Sequence, residues 1–160
     1  MSPEVAIALA VLTPLVVALG VGLLGRWPNV RDSFTIIGTQ VTAYFVVQLL
    51  PVVMAGGRPE LIVLDVLPIA PLAFKVEPLG MLFGMVAAGL WIPTSVYAMG
   101  YMRGHHEENQ TRFFVCFALA IFAALGIAFS ANLLTLFLFY EVLTFSTYPL
   151  VTHHGTEEDK

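Results

Sequence analysis

The acid Glu141 lies near the middle of a long apolar run, where a charged side chain is unexpected. The run covers residues 132–152 and contains no other acid and no base. Inserting a carboxylate at the centre of a membrane helix costs about 3 kcal/mol or more. The group therefore needs a partner, water or a proton. Such a group is typical of proton and cation pathways, because it can hold charge in one state and be neutral in another.

Three further polar side chains share a helical face with Glu141 if this run is a helix. They are Thr144, Tyr148 and Thr152, whereas the opposite face carries Leu136, Phe139, Leu143 and Leu150. The polar stripe must face protein or water, because hydroxyl and carboxyl groups lack partners in hydrocarbon. Pro149 removes one helical hydrogen bond, so we expect a kink nearby. We predict that Glu141, Thr144 and Tyr148 line an ion pathway; the alternative is that Glu141 is a fixed interhelical contact.

The composition requires a membrane around these residues. Hydrophobic residues make up 58% of the 160, and charged residues make up 11%, against about 25% in soluble domains. The mean hydropathy is +0.86. The few basic residues form no cluster, which argues against nucleic acid as a partner. One cysteine, Cys116, is too few for a disulfide framework or for the ligands of an iron–sulfur cluster.

We therefore predict an all-α integral membrane protein forming a single membrane domain over residues 1–160. A span needs about 20 apolar residues, and five such runs occur, at about 3–24, 34–55, 78–102, 112–130 and 132–152. Pro68 and Pro71 interrupt the segment between the second and third runs, and Leu61 to Val66 is rich in strand formers. We predict a short extramembrane β-hairpin there, with its turn around Pro68 to Pro71; the alternative is an interfacial re-entrant segment.

Small residues recur four apart in the third predicted helix, at Gly80, Gly84 and Ala88. This spacing lets another helix approach closely, although glycine is also simply common in membrane helices. We expect this face, like the polar stripe around Glu141, to be covered by protein in the working assembly. We expect both to be partly uncovered in the isolated chain.

The distribution of Lys and Arg predicts the orientation. With five spans, one side carries five of these residues and the other carries two, Arg58 and Lys75. The richer side, which should be cytoplasmic, holds Arg26, Arg31, Arg103, Arg112 and Lys160. The protein is thus expected to be a multi-pass protein of the cell membrane, with its N-terminus outside and its C-terminus cytoplasmic.

Around Glu141 the sequence resembles a known family. The segment NLLTLFLFYEVLTFSTYPLV, residues 132–151, is similar to the fifth transmembrane helix of antiporter-like membrane subunits, in which an aromatic residue precedes a glutamate. These subunits occur in Mrp-type Na⁺/H⁺ antiporters, where the D-type subunit is an example, in respiratory complex I and in membrane-bound hydrogenases. The layout of two helices, a hairpin and a third helix opening at Glu77-Pro78 is also similar, so the resemblance covers essentially the whole chain.

The resemblance implies that Glu141 exchanges protons in an ion-translocation subunit of a cation/proton antiporter, modulated by a lysine on a seventh helix. Family members have about fourteen helices, so the sequence is expected to be a split subunit, a truncated product or a fragment. The implied partners are H⁺, Na⁺ as a candidate exchanged cation, lipid and other membrane subunits, including a chain that supplies the missing helices. No cofactor or metal site is predicted, and the histidine pairs 105–106 and 153–154 are interpreted as solvated loop residues. The alternatives are a proton-pumping subunit of a complex I-like or hydrogenase-type redox complex, or a non-transporting scaffold.

Overall fold

The computed structural model of the protein describes residues 2–64, 71–105 and 110–151. These residues form five helices and one two-stranded antiparallel sheet, in the order α1 (Pro3–Leu23), α2 (Pro28–Met54), β1 (Glu60–Leu64), β2 (Leu72–Lys75), α3 (Pro78–Gly104), α4 (Gln110–Ala128) and α5 (Leu133–Val151). The predicted all-α architecture with a hairpin between the second and third helices is confirmed.

Four of the helices, α1 to α4, are long and apolar enough to cross a membrane. The fifth has a shorter apolar stretch, Leu133–Tyr148, within the described residues. Large apolar side chains point outward from the bundle, and those of Leu19, Ile37 and Leu90 are each at least 60% exposed. Such a surface suits hydrocarbon, since a water-soluble protein rarely exposes large apolar patches.

Proline marks the start of three helices. The side chain of Ser2 accepts a hydrogen bond from the Val5 N–H and caps α1, which begins at Pro3. The third helix begins at Pro78, as predicted. The second begins at Pro28, earlier than the predicted Phe34, because proline is pre-organised for a first helical turn. The earlier start places Arg31 and Asp32 inside the helix.

The small-residue face of α3 packs against the end of α4 in the same chain. A Cβ atom at Gly80 would collide with the carbonyl oxygen of Ala128, and one at Gly84 would press on the ring of Phe129. Ala88, the third small residue, is buried. The close approach predicted from the spacing is therefore confirmed. In the isolated chain this face is covered at Gly84 and Ala88, and only Gly80 stays half-buried, because the end of α4 packs against α3.

The hairpin strands pair in antiparallel register. Glu60 lies opposite Lys75 and Leu61 opposite Phe74, and an irregularity follows between Ile62 and Leu64. The predicted turn around Pro68 to Pro71 falls mostly on residues 65–70, which lie outside the described residues. Among the helices, α4 lies centrally, in contact with α1, α3 and α5. It thereby carries α5 and the acid predicted to be functional.

Candidate functional site

Glu141 lies near the middle of α5 and its side chain is half-buried. Within the residues that the structure describes, this carboxyl has no hydrogen-bond or ion-pair partner. The helix surrounding it is apolar along most of its length. A carboxyl in such a setting still needs a proton, water or a partner from outside the described chain.

The opposite face of α5 attaches the helix to the rest of the bundle. Thr135, Phe139 and Ser146 are buried on that face. The ring of Phe139 lies against Gly126 of α4, where a Cβ atom would collide with it. The same ring contacts Phe122 of α4 at 5.2 Å and Phe74 of β2 at 5.5 Å between centroids. This packing turns Glu141 away from the bundle, because the helical period puts it roughly opposite Phe139.

The uncovered face of α5 contains the other two predicted pathway residues. Thr144 is exposed and its hydroxyl donates to the carbonyl of Tyr140 at 3.0 Å. Tyr148 is 60% exposed. By the helical period both lie on the side of Glu141, so the structure places the three residues on one face. Thr152, the fourth member of the predicted stripe, lies outside the described residues.

A second polar site, which the sequence analysis missed, lies where α2, α3 and α4 meet. The carboxylate of Asp32 accepts hydrogen bonds from two guanidinium groups. Its Oδ1 is 2.9 Å from the Nε of Arg31, and its Oδ2 is 2.9 Å from the Nε and 2.6 Å from the Nη2 of Arg103. Asp32 is buried, so this ion pairing is screened little by water.

The two arginines of this site differ in how firmly they are held. Arg31 is 3% exposed, donates to Thr111 Oγ1 at 3.1 Å and to Gln110 Oε1 at 3.3 Å, and lies 5.2 Å from the ring centroid of Phe114. These three partners all belong to α4. The Arg103 side chain is 45% exposed. Arg31 therefore joins α2 to α4 inside the protein, whereas Arg103 binds Asp32 from the exposed side of the site.

One signal in the sequence could have revealed this site. Pro28 is a suitable first helical residue, and a helix that starts there contains the adjacent charges of Arg31 and Asp32. Ionised groups inside a membrane helix face protein and pair with one another. The identity of the second partner, Arg103, depends on packing between residues that are 71 positions apart.

The described residues contain no group of three or more metal-ligating side chains. His105 stacks on Tyr101, with 4.2 Å between ring centroids, and the other predicted loop histidines, His106, His153 and His154, lie outside the described residues.

Comparison with known proteins gives relatives that are antiporter subunits. No family model matches the chain. It is 25% identical over 148 residues to the A1 subunit of a Na(+)/H(+) antiporter of Staphylococcus aureus, covering 90% of this chain and 18% of that protein. It is also 29% identical over 82 residues to the putative antiporter subunit mnhA2 of Staphylococcus haemolyticus, covering 51% of this chain and 10% of that protein. The predicted resemblance to antiporter-type subunits is confirmed, although these two relatives are A-type rather than D-type subunits.

A solved structure shares the fold. The chain is similar to a chain of the membrane-bound sulfane sulfur reductase, an archaeal respiratory membrane complex, with a TM-score of 0.74 and 18% identity. The match covers 89% of this chain and 22% of that one. The chain thus spans about a fifth of the length of the Staphylococcus aureus subunit and of this structural neighbour.

Proposed function

We propose that the chain is an ion-translocation subunit, or the N-terminal part of one, in a multisubunit cation/proton antiporter. Glu141 is the intramembrane carboxyl that accepts and releases the proton. The observation that carries this proposal is the setting of Glu141: it is half-buried, without a partner in the described chain, on the uncovered face of an apolar helix.

The mechanism is electrostatic. A cation that approaches the carboxylate stabilises its ionised form and drives the proton out, and departure of the cation lets the proton return. Thr144 and Tyr148 bring hydroxyl groups to the same face, where they can orient water or a cation near Glu141. Their exposure in this chain supports a pathway that is completed by other helices.

The helices that complete this pathway come from further membrane subunits or from another part of the same polypeptide. The uncovered face of α5 carries the carboxyl of Glu141 among apolar residues, and lipid cannot satisfy that carboxyl. Transporters of this general kind hold their sites between helix bundles. The match to about a fifth of the antiporter relatives supports a chain that works only with such additional helices.

A second candidate function is a proton-pumping subunit of a redox-linked membrane complex. The structural neighbour belongs to a respiratory membrane complex, which favours this candidate. Both candidates assign the same role to Glu141, and they differ in the partner that supplies energy. Isolation of the complex decides between them, because cation-antiporter subunits and redox subunits would identify different machines.

Glu141→Gln tests the role of the acid. Glutamine keeps the volume and hydrogen-bonding capacity but cannot ionise, so we expect loss of cation-dependent proton flux in everted membrane vesicles with normal assembly of the complex. Glu4→Gln is the matched control, because Glu4 is exposed in the first turn of α1, and it should transport normally. Loss of assembly in Glu141→Gln would instead indicate a scaffold role, and normal flux would refute the proposal.

A further inference from the structure

The hairpin extends into the connection between α4 and α5 through backbone hydrogen bonds. The N–H of Lys75 donates to the carbonyl of Phe129 at 2.7 Å, and the N–H of Ala131 donates to the carbonyl of Ala73 at 3.0 Å. Phe74 and Ser130 form an antiparallel bridge between these two bonds. The connection therefore acts as a third strand alongside β2, and the α4–α5 turn is held to the hairpin.

Asn132 joins the hairpin to the first turn of α5. Its side-chain Oδ1 accepts from the N–H of Thr135 at 2.9 Å, the usual bond of a helix N-cap. Its Nδ2 donates to the carbonyl of Pro71 at 2.6 Å. One side chain thus caps the start of α5 and ties it to the residue preceding β2.

Thr135 adds a third connection from inside α5. Its side chain is fully buried, and its hydroxyl oxygen accepts a hydrogen bond from the N–H of Ala73 at 3.1 Å. Other threonines in the helices, such as Thr39 and Thr144, donate to carbonyls of their own helix. The Thr135 hydroxyl therefore connects α5 to β2. Loss of this hydroxyl would leave the Ala73 N–H buried without an acceptor.

We propose that the hairpin is a clamp that positions α5, and that Asn132 and Thr135 are positioning residues for Glu141. This inference rests on the proposed function of that acid. Thr135 and Glu141 are six residues apart on one helix, or about 9 Å along its axis, and Phe139 between them contacts Phe74 of β2. A shift or rotation of the first turn is transmitted to the carboxyl, because a helix moves as a rigid element over this distance.

Three variants separate the parts of the clamp. Thr135→Val keeps the shape and removes the acceptor for Ala73, while Thr135→Ser restores it. Asn132→Asp keeps the cap on α5 and removes the donor to Pro71. Thr39→Val is the matched control, because Thr39 is equally buried but bonds to its own helix.

Two measurements on the assembled complex test the inference. Hydrogen–deuterium exchange should show at least a tenfold loss of amide protection at Ala73 in Thr135→Val, with protection retained in Thr135→Ser and Thr39→Val. Asn132→Asp should accelerate amide exchange at the start of β2, while the amides in the first turn of α5 stay protected. Proton flux per assembled complex should fall at least fivefold in Thr135→Val and recover in Thr135→Ser. In a Glu141→Gln background the same substitution should change flux no further.

The outcomes are distinguishable. Unchanged protection at Ala73 in Thr135→Val would overturn the clamp. Lost protection with normal flux per complex would overturn the positioning role. Normal flux in Glu141→Gln would overturn the proposed function of the acid, while the exchange data would still decide on the clamp.

Discussion

The buried charge site at Asp32 yields the most quantitative prediction. Asp32→Asn removes the charge that separates two guanidinium groups, one of which, on Arg31, is 3% exposed. Removing one partner of a buried ion pair costs roughly 3–5 kcal/mol. We expect about 3 kcal/mol, at the low end of that range, because asparagine keeps one acceptor and the half-exposed Arg103 can turn toward water.

The two arginines should contribute unequally. Arg31→Ala should cost about 3 kcal/mol or more, since it also leaves the Asp32 carboxylate without its buried partner and removes the contacts to Thr111 and Phe114. Arg103→Ala should cost about 1 kcal/mol or less, as is usual for pairs that reach solvent.

The free energy of unfolding, measured by reversible denaturation of the purified protein in bicelles, checks these values. Arg58→Ala is the control, because Arg58 is exposed and bonds to the nearby carbonyls of Gly56 and Gly57. A double-mutant cycle between Asp32 and Arg31 should show a large coupling. An Asp32→Asn cost below about 0.5 kcal/mol, the usual range for surface changes, or equal costs for the two arginines, would refute the reasoning.

Three further predictions concern packing, topology and transport. In thermal denaturation, Gly80→Ala should destabilise the protein by about 1–3 kcal/mol, because the new Cβ would meet the Ala128 carbonyl. The control Gly100→Ala should be neutral or stabilising, because a Cβ there meets nothing within 4 Å. In a chain lacking Cys116, a cysteine at Gly57 should react with an impermeant thiol reagent outside intact cells and one at Thr156 should not, and reversed labelling would contradict the orientation. The 160-residue chain alone, reconstituted in vesicles with a pH-sensitive dye inside, should show no Glu141-dependent proton flux, and flux from the chain alone would exclude the need for partner helices.

Much of the fold and one candidate residue could be predicted from the sequence, because they depend on local chemistry. Apolar runs of membrane-spanning length predicted the helices, and prolines flanked by strand formers predicted the hairpin. Glu141 stood out since it is the lone acid within its run. Its exposed neighbours Thr144 and Tyr148 followed from the helical period alone.

Contacts between distant segments could not be predicted, because they depend on which helix faces pack together. The Asp32 site joins residues from three helices, and the α5 clamp joins Thr135 to Ala73 across 62 positions. The small-residue spacing at Gly80 predicted a close neighbour but not that α4 of the same chain would supply it. Periodicity specifies which side of a helix is polar or small; only the tertiary arrangement determines which backbone or side chain lies against it.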